Sequence, residues 1–85
     1  MASNYAAFDV VDVDNDGVMT YVGAGVSVAI RASGAGADAA ESPLTTDSAG
    51  HIAAGSLAAI SVGTVVHFRV QNNGGKAGTL SQTTT

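Results

Sequence analysis

The stretch VVHFRV, residues 65 to 70, decides the fold. Val66, Phe68 and Val70 fall on one parity and Val65, His67 and Arg69 on the other. A period of two with large apolar residues on one side is the signature of a strand with one buried face. VSVAIR, residues 26 to 31, repeats it, with Val26, Val28 and Ile30 inward and Ser27, Ala29 and Arg31 outward. Two such segments in a chain rich in valine and without a helical period argue for a sheet.

Outward from these two strands the pattern is looser. FDVVDVD, residues 8 to 14, places Phe8 and Val10 on one parity but Val11 and Val13 on the other. A strand there requires a bulge or burial on both sides. DNDG, residues 14 to 17, ends in Asp-Gly, which tolerates the positive φ of a tight reversal, and VMTYV resumes the extended pattern, so a hairpin is expected with Gly17 at its turn. VGAG at 22 to 25 reads as a bend, and the small, polar stretch 32 to 42 as a loop. Residues 51 to 64 suggest two short strands, around Ile52 and around Leu57 to Ile60, broken by Gly55 and Gly63. In SPLTTDSAGHI, residues 42 to 52, Pro43 leads in, Asp47 caps a turn and Gly50 supplies backbone freedom, the composition of a hairpin corner. QNNGGKAGTLSQTTT, from residue 71, has too few large apolar side chains to order itself and reads as a flexible tail or an arm that orders on a neighbour. The expected organisation is an N-terminal arm over 1–7, a domain over 8–70 and a flexible C-terminal tail over 71–85. The fold class is all-β, a small antiparallel sandwich of about six or seven strands.

Composition bounds the function. The 85 residues make one small domain, and 16 of its 39 apolar residues are alanine, whose methyl group buries little area. No cysteine is present, so neither disulfides nor thiolate metal sites can add stability. Association with partner subunits is therefore the expected support. A net charge of −4 has the wrong sign for neutralising phosphates, which argues against a nucleic-acid partner. No run approaches about 18 apolar residues and the first residues lack a basic n-region, so neither a membrane span nor a signal peptide is expected.

The most chemical-looking motif is DVDNDG, residues 12 to 17. Asp12, Asp14 and Asp16 repeat the first oxygen ligands of an EF-hand loop, with Gly17 at the sixth position. The twelfth position is Gly23, where a bidentate carboxylate is needed, so the aspartates are weak Ca²⁺ candidates set against a solvated acidic hairpin. His51 and His67 could join Asp47 in a metal or acid/base site by residue type alone, yet nothing in the spacing brings them together. No serine lies in a nucleophile elbow and no glycine cluster follows a strand into a helix. No catalytic or cofactor-binding residue is assigned, and the chain is read as a non-enzyme.

The order of these features resembles the carboxypeptidase-regulatory, or prealbumin-like, Ig-like sandwich. Asp14 to Gly17 matches that group's Asp-Gly turn, Gly23 to Val26 its Gly-Ala-x-Val lead into a strand, Thr45 to Gly50 its Thr-x-Asp-x-x-Gly hairpin, and Gly63 with Val65 to Val70 its closing strand. The likeness covers roughly residues 8 to 70 and rests on turn motifs. ESPLTTDSAGHIAAG, residues 41 to 55, is also similar to modules of bacteriophage virion proteins, of heads and tail fibres in particular. The resemblance implies a structural protein of a phage virion that binds capsid or tail proteins as a head decoration or tail-fibre accessory; the lack of a signal peptide points to synthesis in the host cytoplasm, and the thin core to self-association. The rival expectations are a carbohydrate- or receptor-binding module of a fibre or adhesin, short of aromatic platforms, and a Ca²⁺-stabilised extracellular module resting on the acidic hairpin alone. Val65 and the Val10/Val11 pair are the residues that could mark an interface.

Overall fold

A computed structural model describes residues 2–13, 16–73 and 76–85, with only the backbone of 71–73. Among the described residues, ten strands run in the order β1 (Ser3–Tyr5), β2 (Phe8–Asp9), β3 (Val11–Val13), β4 (Met19–Tyr21), β5 (Ser27–Ala32), β6 (Leu44–Thr45), β7 (His51–Ile52), β8 (Gly55–Leu57), β9 (Val65–Asn73) and β10 (Lys76–Thr83). The chain is all-β and every described pairing is antiparallel. One layer of the sandwich-like fold is a four-stranded sheet in the order β10-β9-β5-β6. Its inner face is built by cross-strand rows, Val28 beside Val70, and Ile30 beside Phe68 beside Leu80. Such pairs are the unit by which a sheet is stabilised, and the parity of VSVAIR and VVHFRV puts their apolar sets on this one face.

The second layer is a ribbon. Residues 3 to 13 run as one extended strand whose partner changes along its length, from β8 to β7 to β4. The change happens at Val10, whose N–H donates to the Gly50 carbonyl at 2.8 Å while its carbonyl accepts from the Val22 N–H at 3.3 Å. In an extended residue these two groups point to the same side, so both partners lie along the same edge. The sequence suggests six or seven strands; the described residues form more, because β1 and β10 lie in the segments read as arm and tail, the strand expected at 8–14 is split into β2 and β3, and β6 forms after Pro43.

Between the layers Tyr5, Val28, Ile30, Ile52, Leu57, Val66 and Phe68 are buried, with Phe8, Val10 and Val70 packed against them. Phe68 sits at the centre, its ring 5.3 Å from that of Tyr5 and 4.9 Å from that of Phe8, in the tilted arrangement aromatic pairs favour.

Two terminal expectations are corrected. The N-terminal arm is a core element, since Ser3 and Tyr5 are buried on β1. The C-terminal segment is not a flexible tail: β10 pairs along β9 from Thr83 opposite Val65 to Lys76 opposite Asn73, with one irregularity between Lys76 and Gly78. Its few apolar side chains do not prevent order, because β9 supplies a hydrogen-bonding template and the chain end is tied to the ribbon. Thr85 exchanges two backbone hydrogen bonds with Asn4, at 2.9 and 3.1 Å. The Gln82 carboxamide accepts from the Ala6 N–H at 2.8 Å and donates to the Ala6 carbonyl at 3.0 Å, standing in for a missing strand. The buried Thr84 hydroxyl lies within hydrogen-bond distance of the Ser61 and Thr64 carbonyls, at 3.1 and 3.0 Å.

Candidate functional site

The turn residues stand as the sequence implied. Gly17, Gly50 and Gly63 have φ of 81°, 73° and 90°, the left-handed region that favours glycine. At Gly50 a side chain would also meet the Val10 carbonyl, because this is the three-way junction of the ribbon. Asp47 accepts from the Ala49 and His51 N–H groups at 2.9 and 3.0 Å, and these bonds hold its carboxyl below the usual aspartate range. Gly55 is not the break it was expected to be. It opens β8 directly opposite Tyr5, whose ring lies over its Cα so closely that a Cβ would fall 2.6 Å from the phenol oxygen. Burial, with Glu41 nearby, raises the Tyr5 pKa.

The residues considered for chemistry do not converge. The His51 Nδ1 meets Asp9 at 2.8 Å on the ribbon, whereas the His67 Nδ1 meets Ser81 at 2.8 Å on the four-stranded sheet. Asp47 is committed to its turn. Of the Ca²⁺ candidates, Asp12 is ion-paired with Lys76, Asp16 lies in the hairpin turn, and Asp14 falls outside the described residues. Among the described residues no group of three or more His, Cys, Asp or Glu is placed to hold a metal ion. A groove of about 220 Å³ opens between the ribbon and β10. Phe8, Val10, Phe68 and Leu80 line it, with the Asp12–Lys76 pair at its end. Its lining is mostly apolar and carries no nucleophile next to a base.

The surface feature that stands out is the β3–β4 hairpin. Alternation carries through Val10, so Phe8, Val10 and Asp12 share the inward side and Val11 and Val13 point away from the core. Register places Val11 beside Tyr21 and Val13 beside Met19, so these four form one block on the outward face. They are 39%, 52%, 69% and 60% exposed in the order Val11, Val13, Met19, Tyr21. The inward face carries Asp12 beside Thr20. The hairpin therefore has no buried side: its apolar block faces outward, and Asp12 and Thr20 on the other face also reach solvent. This resolves the double parity of FDVVDVD without a bulge, and it places Val10 and Val11 on opposite faces. Val65, also singled out, is 38% exposed at the start of β9. The signal for the hairpin face was present in the sequence as a change of parity at Val10/Val11. Gln82 and Thr84, which close the opposite end, carried no recognisable signal.

No family model matches the chain, and neither a curated protein nor a solved structure shows significant similarity to it.

Proposed function

We propose that this chain is a non-enzymatic structural subunit of a bacteriophage virion, attaching to head or tail proteins by surface complementarity. The observation that carries the structural part of this reading is the exposed apolar face of the β3–β4 hairpin: Val11, Val13, Met19 and Tyr21 spend their apolar area on the outside of a domain whose core is short of it. Contiguous exposed apolar surface marks interaction sites. The virion part rests on the likeness of residues 41 to 55 to phage modules. The carbohydrate-binding alternative needs exposed aromatic platforms, but Tyr5, Phe8 and Phe68 pack on one another and leave Tyr21 as the exposed ring. The genes flanking the coding sequence test the reading. Capsid, portal or tail genes alongside support it; a secretion or sortase locus overturns it. Gradient-purified particles should contain the chain in stoichiometric amount.

A further inference from the structure

We propose that the groove between the ribbon and β10 binds an extended peptide segment of a partner protein, added as a strand along the outer edge of β10 with alternate apolar side chains entering the groove. The proposal deepens the structural-subunit reading and rests on it only for the source of that segment, a neighbouring virion protein.

Main-chain geometry selects a strand as the occupant. Just past β10 the Thr84 N–H donates to the Thr64 carbonyl and the Thr84 carbonyl accepts from the Gly63 N–H, both on the β9 side, whereas Thr85 bonds Asn4 on the other. Successive residues of an antiparallel strand turn their backbone groups to opposite edges, so Thr79 and Ser81, which share the parity of Thr85, turn theirs away from β9. On the ribbon Val10 bonds Gly50 and Val22, which turns the backbone groups of Asp9 and Val11 to the opposite edge. Among the described residues no strand pairs with either row and no loop backbone bond reaches it. Asp9, Val11 and Thr79 line the groove. Further along the same seam the gap is closed: Asn4 pairs with Thr85, and the Gln82 carboxamide bonds both the N–H and the carbonyl of Ala6. A side-chain amide thus already stands where the main chain of an added strand would continue.

Side chains agree with this occupant. Leu80, in the inward row with Ile30 and Phe68, is 41% exposed, and Phe8 and Val10 are half-buried across the groove from it. Alternate apolar side chains of a strand would cover this floor. A small molecule would leave the main-chain rows unpaired, and the groove's 220 Å³ is below the roughly 300–1,000 Å³ of small-molecule pockets. Asp12 and Lys76 at the groove's end neutralise each other, so the segment that fits is uncharged. The edge itself is undefended. Exposed edges are usually blunted by shortness, charge or proline. β6, at the opposite edge of the sheet, is two residues long and follows Pro43, whereas Gly78 to Thr83 has neither a charge nor a proline.

Fluorescence anisotropy tests the proposal with labelled, end-blocked peptides of about six residues, the usual strand length. One set alternates valine or leucine with threonine or serine; a second has the same composition with its apolar residues in one run. On titration with the full chain, alternating peptides are expected to reach half-saturation below about 100 µM, and the second set to bind at least about tenfold more weakly. A binding peptide remade with N-methylated amides throughout keeps its side chains but has no N–H, and should not bind. Thr79→Pro removes a backbone donor that the β9–β10 ladder does not use, at an edge where proline is tolerated. It should weaken binding at least about tenfold, with the far-UV circular dichroism of the wild type. Val62→Lys, at an exposed residue in the turn before β9, should leave binding unchanged. If Thr79→Pro fails to fold, the N-methylated peptides decide. The proposal is overturned if no alternating peptide binds, if the second set binds as well, if N-methylated peptides keep their affinity, or if folded Thr79→Pro binds as the wild type does. A chain present in purified particles that binds none of the peptides loses the groove and keeps the structural-subunit reading. A chain that binds them but is encoded in a secretion locus keeps the groove and loses that reading.

Discussion

The two ends of the ribbon solve the same problem in opposite ways. At the β1 end the chain terminus closes the gap between the layers: Thr85 pairs with Asn4, Gln82 with the Ala6 backbone, and Thr84 with two carbonyls beneath it. Tyr5 and Leu57 are buried there. At the β3–β4 end, among the described residues, no strand of the other layer pairs with the hairpin, and the Asp12–Lys76 ion pair ties it to β10. Apolar residues at this end turn outward. The same extended strand thus passes from a core element to a surface one within a few residues, and the change occurs where its partner switches at Val10. A strand's inner and outer faces are set by what packs on it, so alternation alone does not say which face is the core.

The sharpest way to break this comparison is to truncate one apolar side chain at each end of the ribbon's influence. Phe68→Ala removes the ring that Tyr5 and Phe8 pack against and should cost about 3–5 kcal/mol in chemical denaturation. Met19→Ala should change monomer stability by no more than about 0.5 kcal/mol, as an exposed surface substitution does. Equal losses would show that the hairpin face is core.

Glycines sharpen the same contrast. Gly50→Val combines a positive φ with a collision at the Val10 carbonyl, 2.9 Å from the added Cβ, and should destabilise by about 2 kcal/mol or more. Gly17→Val, with a similar φ but open space around it, should lose about 1 kcal/mol from backbone strain alone. Thr84→Val leaves the carbonyls of Ser61 and Thr64 without that hydroxyl and should lower stability by about 1–2 kcal/mol, whereas Thr20→Val on the exposed hairpin should be near neutral.

The smallest effect concerns acid. The backbone N–H groups of His51 and Ala49 hold the folded-state pKa of Asp47 below the usual aspartate range, so its ionised form is favoured by folding. The resulting stabilisation is present above the unfolded pKa and is lost as pH falls through the lowered folded value. Melting temperatures measured from about pH 5 down to about pH 3 should fall for the wild type, and Asp47→Ala should remove part of that slope. An identical slope in the variant would detach Asp47 from the turn.

Much of the four-stranded sheet was legible because Val28, Ile30, Val66 and Phe68 alternate with residues that stay on its outer face. The Asp47 to Gly50 corner was legible because its local chemistry suffices to define it. β10 was not, since only Leu80 among its inward residues Gly78, Leu80 and Gln82 is a large apolar side chain, and its order comes from β9 and the ribbon. Ser3 and Tyr5 read as part of an arm, because three residues carry no period. Gly55 resembled a break, and only its position under Tyr5 explains it. The candidate interface was half legible: the parity change at Val10/Val11 announced an apolar side in need of cover, but which side became core depended on the register with β7 and β4.

The central claim is that the hairpin's apolar face lies on the outside of the monomer, with Val11, Val13, Met19 and Tyr21 exposed. The chain holds no tryptophan, so Tyr21→Trp introduces a single reporter on that face. Fluorescence emission of the dilute, folded variant should lie at long wavelength and be quenched readily by acrylamide, with the far-UV circular dichroism of the wild type. Emission at short wavelength and shielded from acrylamide in the dilute monomer would contradict the account.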